Sequence, residues 1–293
     1  MEPITVLSLF DGMSCGQIAL ERAGIPVKQY FASEVDKWAI KVTQHNYPNT
    51  IQLGDVTKVR YEGGVLYCEN GEYSVGEIDL VMGGSPCQSI SNLGDGSGLS
   101  GKSGLFYHWL RIKNEVNPLY WLLENVKGSK KAIDEISKLL DTIPTLLDSA
   151  DFSAQRRNRL YWSNIPIKVD NSKSPTILTD VLDEIISETS VLSAARVKWL
   201  LSEKGKVCVA KRYASVDPEK AACLTARSDA SWNCNYVTRN GVLTKLSCEE
   251  YEKLQTVPIG YTGVAKTSER YKMLGNGWTV DVIAHIFKGI LPK

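Results

Sequence analysis

The sequence predicts an α/β fold built on a largely parallel, buried sheet and followed by a smaller second domain. Short continuous apolar runs alternate with helical stretches through the first half, and those runs end in loops that carry polar residues. The alternation stops after Trp162. Apolar runs of strand length are the mark of strands covered on both faces, and open α/β sheets bind ligands at the carboxyl ends of their strands. At 293 residues and 43% hydrophobic content, the chain is long enough for one sizeable domain and a smaller attachment.

Thr5 to Leu9 is the first strand, closed by the turn-forming Asp11-Gly12. Gly16 to Ala23 is the first helix, with Gly24 as its stop. Gln29 to Ser33 and Asp36 to Asn46 repeat the strand and helix. Val65 to Cys68 and Glu72 to Val75 flank Asn70-Gly71, a hairpin signal. Ile78 to Met82 ends in Gly83-Gly84, Tyr120 to Leu123 ends in Glu124-Asn125, and Leu160 to Trp162 is a further strand. From Pro166 to Thr244 come short strands, a charged helix and a second hairpin at Asn240-Gly241. Thr279 to Leu291 is an amphipathic helix expected to return to the first domain. The expected division is a catalytic domain at 1–165, a recognition domain at 166–243 and a returning segment at 244–293.

Composition narrows the function classes. The 34 basic and 33 acidic residues leave a net charge of +1, so any nucleic-acid-binding face is local. Seven cysteines include no CxxC pair, which favours reduced thiols in a cytoplasm-like compartment over a disulfide framework or zinc ribbon. Three scattered histidines offer no metal site. Met1-Glu2-Pro3 runs straight into a strand without a signal peptide, and no apolar run has bilayer length.

Two groups of motifs carry chemistry. At the first strand, Val6 to Gly16 reads strand, glycine-bearing turn, helix, and Gly12 and Gly16 allow close approach to a ligand. Glu34 follows the second strand, placed to accept from both hydroxyls of a ribose. Asp55, where a third strand would end, is suited to an adenine amine. Acids after three successive strands, without GxGxxG, suit a cationic sulfonium cofactor better than an anionic dinucleotide. The second group is Gly83-Gly-Ser-Pro-Cys87-Gln, then Leu122-Leu-Glu-Asn-Val126, then Gln155-Arg-Arg-Asn-Arg159. A cysteine after proline, just past a strand, is a fixed nucleophile, and its thiol needs activation because few free thiols are ionised at neutral pH. Ser89 to Gly104, rich in Gly and Ser, suits a loop that closes over substrate. Strand alternation puts Arg157 and Arg159 on one face and Asn158 on the other.

With Leu9-Phe-Asp-Gly, Ser33-Glu-Val-Asp, Gly54-Asp-Val and Leu274-Gly-Asn-Gly added in order, the chain resembles the DNA cytosine-5 methyltransferase family. In motif detail it is most similar to the de novo branch and its bacterial and phage relatives. The resemblance implies a Rossmann-like sheet with one antiparallel strand and S-adenosylmethionine as cofactor. Phe10, Asp11, Gly12, Glu34, Val35, Asp55, Val56, Leu105, Asn276 and Trp278 would line the cofactor. Cys87 would add to cytosine carbon 6, Glu124 would hold nitrogen 3, Arg159 would hold oxygen 2, and Gln155 with Arg157 would support the site. The second arginine of the motif is also suited to orienting Glu124 or holding a phosphate. Met13-Ser14-Cys15 departs from the glycine-rich first loop of many members.

The implied partner is double-stranded DNA, with no membrane and no metal. In the smaller domain, Lys204, Lys206, Lys211, Arg212 and Tyr213 form a basic stretch suited to phosphates or simply to solvent. Arg227, with the polar loop from Ser228 to Asn235, is the candidate base reader. An RNA (tRNA) cytosine-5 methyltransferase would share the catalytic residues, and a non-catalytic accessory subunit would tolerate their loss. A nicotinamide dehydrogenase is disfavoured by the missing GxGxxG.

Overall fold

The computed structural model describes residues 1–86, 104–169, 173–210, 215–227 and 234–290. The chain divides into two compact units: Met1–Leu147 with Asn158–Asp170 and Val282–Lys293, and Asp148–Arg157 with Asn171–Asp281. These limits differ from the expected ones. Residues 148–157 and 244–281 group with the second unit, and the returning segment of the first begins at Val282.

The first unit opens with β1 (Ile4–Leu9), all six residues buried. Then come α1 (Cys15–Arg22), β2 (Val27–Ser33), α2 (Lys37–Asn46) and β3 (Ile51–Gln52). Asp36 caps α2 by accepting from the amides of Trp38 and Ala39, and Gly24 leaves α1 at φ +72°. An antiparallel excursion follows, β4 (Arg60–Glu62), β5 (Val65–Cys68) and β6 (Gly71–Ser74). The chain re-enters the main sheet through β7 (Leu80–Gly84), α3 (Leu105–Val116), β8 (Tyr120–Val126), α4 (Lys130–Leu140), β9 (Thr145–Asp148) and β10 (Asn158–Ser163). Among the described residues the main sheet has seven strands in the order β3-β2-β1-β7-β8-β10-β9. The pairs β1–β2, β2–β3, β1–β7 and β7–β8 are parallel, and β10 runs antiparallel to β8. This is the expected sheet with its one reversed strand. Glu124 and Asn125 lie inside β8 rather than in a loop beyond it.

The core of this unit sets where β7 and β8 end. Phe106, Trp109, Ile112 and Val116 repeat on one face of α3 and are buried. Burial of a large apolar side chain contributes about 1.5–3 kcal/mol, so this face anchors α3 firmly. Trp109 stacks edge-on against Trp121 with centroids 6.0 Å apart. A Cβ on Gly83 would lie 2.4 Å from the Leu9 carbonyl oxygen and 3.0 Å from Trp109. Only glycine lets β1, β7 and the indole approach this closely.

The second unit holds α5 (Ala194–Leu201), α6 (Glu203–Ala210), β11 (Ser215–Val216), β12 (Asn235–Arg239), β13 (Val242–Lys245), α7 (Cys248–Leu254) and α8 (Thr267–Asn276). β11 is parallel to β12 and β12 antiparallel to β13. The hairpin at Asn240-Gly241 has both residues left-handed, at φ 51° and 76°, as a two-residue turn of this twist requires. Leu192, Leu200, Cys234, Tyr236 and Leu243 form a small core of its own. Behind it, Arg239 pairs with the buried Glu250, which also closes the capping box of α7 with Ser247. The last helix, α9 (Val280–Phe287), is shorter than expected. Beyond it a Cβ on Gly289 would lie 2.2 Å from the Pro166 carbonyl oxygen, so the chain there packs backbone to backbone. Among the described residues no helix is long and apolar enough to cross a membrane.

Candidate active site

The acids expected at the strand ends stand at the carboxyl end of the parallel sheet. Glu34 follows β2, and its carboxylate accepts from the amides of Gly12 at 2.8 Å, Val35 at 2.7 Å and Asp36 at 2.8 Å. It therefore ties the β1 turn to the β2 exit. The turn itself is strongly left-handed, with Phe10, Gly12 and Ser14 at φ 58°, 59° and 60°. Ser14 takes by strain what glycine takes freely, and its hydroxyl bonds Asp11, which also accepts from Tyr30 at 2.7 Å. That hydrogen bonding holds the left-handed turn from Phe10 to Ser14 in place. Burial pushes the Asp11 carboxyl up to about 6, against the lowering effect of the Ser14, Ser8 and Tyr30 hydroxyls.

Asp55 lies past the short β3 and caps the helical turn Val56–Lys58 through the Thr57 amide at 2.8 Å. Val35 is 72% exposed at the β2 end, an apolar surface open to a flat ligand face. Phe10 and Leu105 are partly buried against the core, and Val56 is inside it. The acceptor set is acidic, with backbone amides already turned onto Glu34. It suits a cationic nucleoside with free ribose hydroxyls and does not suit a pyrophosphate.

Cys87 lies outside the described residues, which reach Pro86 just before it. β7 delivers Gly84 opposite Glu124 of β8. Ser85 is buried, and Asn125 donates to its hydroxyl at 3.1 Å and its carbonyl at 3.4 Å. Asn125 is 1% exposed, and its own carbonyl oxygen accepts from the Val126 amide. It latches the turn that leads to Pro86. Glu124 takes the other face of β8, where Arg159 Nε lies 3.0 Å from its Oε1. Their side chains are only 12% and 14% exposed, so the pair is withdrawn from solvent.

Arg157 and Arg159 were expected on one face. β10 begins only at Asn158, so Arg157 precedes the strand and turns into the second unit. Its guanidinium is buried and donates to the carbonyls of Leu224 at 2.8 Å, Gly275 at 3.1 Å and Gly277 at 3.0 Å. Arg159 itself meets Glu124. Gln155, fully buried, accepts from the Leu224 amide at 2.9 Å and donates to Gln255 Oε1 at 3.0 Å.

The same unit holds the remaining expected residues. Asn276 ends α8, and Trp278 lies on the turn between α8 and α9. Gly275 passes so near Thr225 and Ala226 that a Cβ would lie 2.2 Å from the Thr225 carbonyl carbon. Arg227, exposed, thus rises from a fixed stem. Lys206 pairs with Glu203 at 2.8 Å on the open surface of α6. Lys211, Arg212, Tyr213 and Ser228 lie outside the described residues. Asn125 was not among the expected site residues, although it is flanked by the motif's own Glu124 and Val126.

The sheet order, the reversed β10 and the acids after β1 and β2 define a Rossmann-like fold of the methyltransferase type. The chain belongs to the C-5 cytosine-specific DNA methylase family, whose profile matches residues 4–192. It is 32% identical over 177 residues to the orphan methyltransferase M.SPRI of Bacillus phage SPR, covering 55% of this chain and 37% of that protein. It is 29% identical over 220 residues to the type II methyltransferase M.NgoPII of Neisseria gonorrhoeae, covering 67% and 61%. With M1.ScrFI of Lactococcus lactis subsp. cremoris the match is 26% over 316 residues, covering 98% and 77%. The chain thus spans less than two thirds of the phage and gonococcal proteins. Solved structures share the fold: Dnmt2 of S. pombe at TM-score 0.71 and 17% identity, covering 97% of each chain, and EhMeth of Entamoeba histolytica at 0.76 and 15%, covering 99% and 98%.

Proposed function

We propose that the chain transfers a methyl group from S-adenosylmethionine to carbon 5 of cytosine in duplex DNA, with Cys87 as nucleophile. The observation that carries the reading is the buried Glu124–Arg159 pair beside the Asn125 latch on Ser85. It puts a carboxyl group, a guanidinium and the approach to Cys87 at the ends of adjoining strands. S-adenosylmethionine, when bound, supplies an electrophilic methyl group, and Glu34, Asp11 and the open face of Val35 suit its nucleoside.

The chain's residues make carbon 5 able to attack. The Cys87 thiolate adds to cytosine carbon 6 while Glu124 shares a proton with nitrogen 3, so the ring's electrons move to carbon 5. Arg159 holds Glu124 in place and faces oxygen 2, where charge gathers on addition. Methylation, loss of the carbon 5 proton and expulsion of the thiolate restore the ring. The cytosine reaches this site flipped out of the helix, and residues 166–243 act as the target-recognition region, with Arg227 reading a guanine.

Duplex DNA carrying 5-fluorocytosine tests the reading, because its carbon 5 substituent cannot leave as a proton does. A gel-stable adduct forms with wild-type protein and S-adenosylmethionine and is absent from Cys87→Ser. An adduct that survives in Cys87→Ser overturns the assignment. Methyl transfer to tRNA in place of duplex DNA, measured in parallel, overturns the substrate.

A further inference from the structure

Gln255 closes α7 at a position that the family motifs did not single out. Its side chain is fully buried and uses every hydrogen-bonding site it has. Oε1 accepts from Gln155 Nε2 at 3.0 Å and from the Thr279 hydroxyl at 2.7 Å. Nε2 donates to the Leu274 carbonyl at 2.6 Å and the Gly277 carbonyl at 3.1 Å. Those carbonyls bracket Asn276 and adjoin Trp278. Arg157 grips the same turn through Gly275 and Gly277, and Thr279 is held in turn by Ser149 at 2.8 Å. The turn bearing Asn276 and Trp278 is therefore fixed by its backbone, from within the unit, by two side chains. One of these, Arg157, belongs to the Gln155–Arg159 motif, and the other, Gln255, is joined to that motif through Gln155.

We propose that Gln255 is a positioning residue for the methyl donor: it sets the turn that presents Asn276 and Trp278, and it joins that turn to the segment leading into Arg159. The inference rests on the reading of Asn276 and Trp278 as cofactor-lining. Four satisfied bonds at full burial give a stiff joint: losing them costs the buried groups their partners, although the Gly277 carbonyl would keep its bond from Arg157. The two ends of the carboxamide have separate duties. Its oxygen binds Gln155 and Thr279, and its nitrogen binds the turn carbonyls of Leu274 and Gly277.

Titration with S-adenosylhomocysteine, the demethylated donor, tests the assignment without turnover. Gln255→Glu keeps the size and the accepting oxygen but removes both donors to the turn. It is expected to weaken S-adenosylhomocysteine binding about tenfold, the loss of about one neutral hydrogen bond's worth of placement. Thr279→Val touches only the oxygen side and is expected to change the affinity less than about threefold. In steady state, Gln255→Glu raises KM for the donor while KM for DNA stays within about twofold. A residue that only supports the fold lowers the melting temperature and both affinities together. Affinity equal to wild type in natively folded Gln255→Glu overturns the inference, as does equal weakening of both KM values. Wild-type protein that does not bind S-adenosylhomocysteine overturns the cofactor reading itself. If Gln255→Glu does not fold, Gln255→Met, which keeps the length and removes all four bonds, carries the same titration.

Discussion

Arg159 meets Glu124 diagonally across β8 and β10: Arg159 stands opposite Val126, Glu124 opposite Tyr161, and the guanidinium spans the step to reach Oε1 at 3.0 Å. Diagonal neighbours on one face of an antiparallel pair are within reach of long side chains. Because the pair is largely withdrawn from water, removing one partner leaves the other charge uncompensated. Arg159→Met is expected to cost about 3 kcal/mol of stability, read as a shift in urea midpoint at unchanged slope. A loss within experimental scatter would show that the carboxylate finds another partner.

Glu124→Gln separates structure from chemistry. The amide still accepts from Arg159 but shares no proton with nitrogen 3. Turnover is expected to fall by about a hundredfold to ten-thousandfold, with S-adenosylhomocysteine affinity unchanged by calorimetry. Turnover at the wild-type level would make Glu124 a structural residue.

Asp11 gives a pH dependence whose sign follows from its carboxyl, raised from 3.8 to about 6 by burial. The folded state holds that proton more tightly than the unfolded state does. Its contribution to stability is therefore largest below pH 3.8 and is lost as pH rises to about 6. Relative to Asp11→Asn, wild-type protein is expected to lose about 2 kcal/mol across that window, measured as unfolding free energy at several pH values. A constant difference between the two proteins would show that the carboxyl titrates normally.

Two glycines predict contrasting costs. Gly12→Ala meets open space but must hold φ +59°, which costs about 1 kcal/mol. Gly83→Ala forces a methyl against the Leu9 carbonyl and Trp109, and overpacking of that kind costs about 1–3 kcal/mol or more. Denaturant unfolding of both variants is expected to rank Gly83→Ala as the less stable.

Base reading predicts a difference between two cations of the second unit. Arg227→Ala is expected to lose about 1–3 kcal/mol of discrimination at one guanine of a target of about two to four base pairs. Lys206→Ala, whose cation already shares the α6 surface with Glu203, should weaken binding alike at all sequences and lower its salt dependence. Methylation mapping on random-sequence DNA checks both. An unchanged preference in Arg227→Ala would move base reading elsewhere in the recognition region.

The first half of the fold was legible because buried parallel strands leave continuous apolar runs, as in Thr5 to Leu9 and Ile78 to Met82, and because Gly24, Asp36 and Asn70-Gly71 mark stops and turns locally. The motif residues were legible for the same reason: Glu34 and Glu124 interrupt apolar runs at strand ends, or one step inside them. What stayed hidden depends on contacts far apart in sequence. Alternation could not show that β10 starts after Arg157, because the acceptors that draw its guanidinium away are carbonyls at 224, 275 and 277. Gln255 resembles any helix-end glutamine until Gln155, a hundred residues earlier, is found against it.

The reversed β10 also bears on how the chain is made. β8, α4 and β9 leave the ribosome in succession, and β10, which lies between β8 and β9 in the finished sheet, follows only ten residues after β9. Until it arrives, the facing edges of β8 and β9 present unpaired amides and carbonyls, and the apolar flanks of Trp121 and Leu123 lack their neighbours Leu160 and Trp162. Open edges of that kind recruit strands from other chains. A nascent or truncated chain ending before Asn158 should accordingly be prone to aggregate, and completion of β10 is the step of synthesis that closes the sheet.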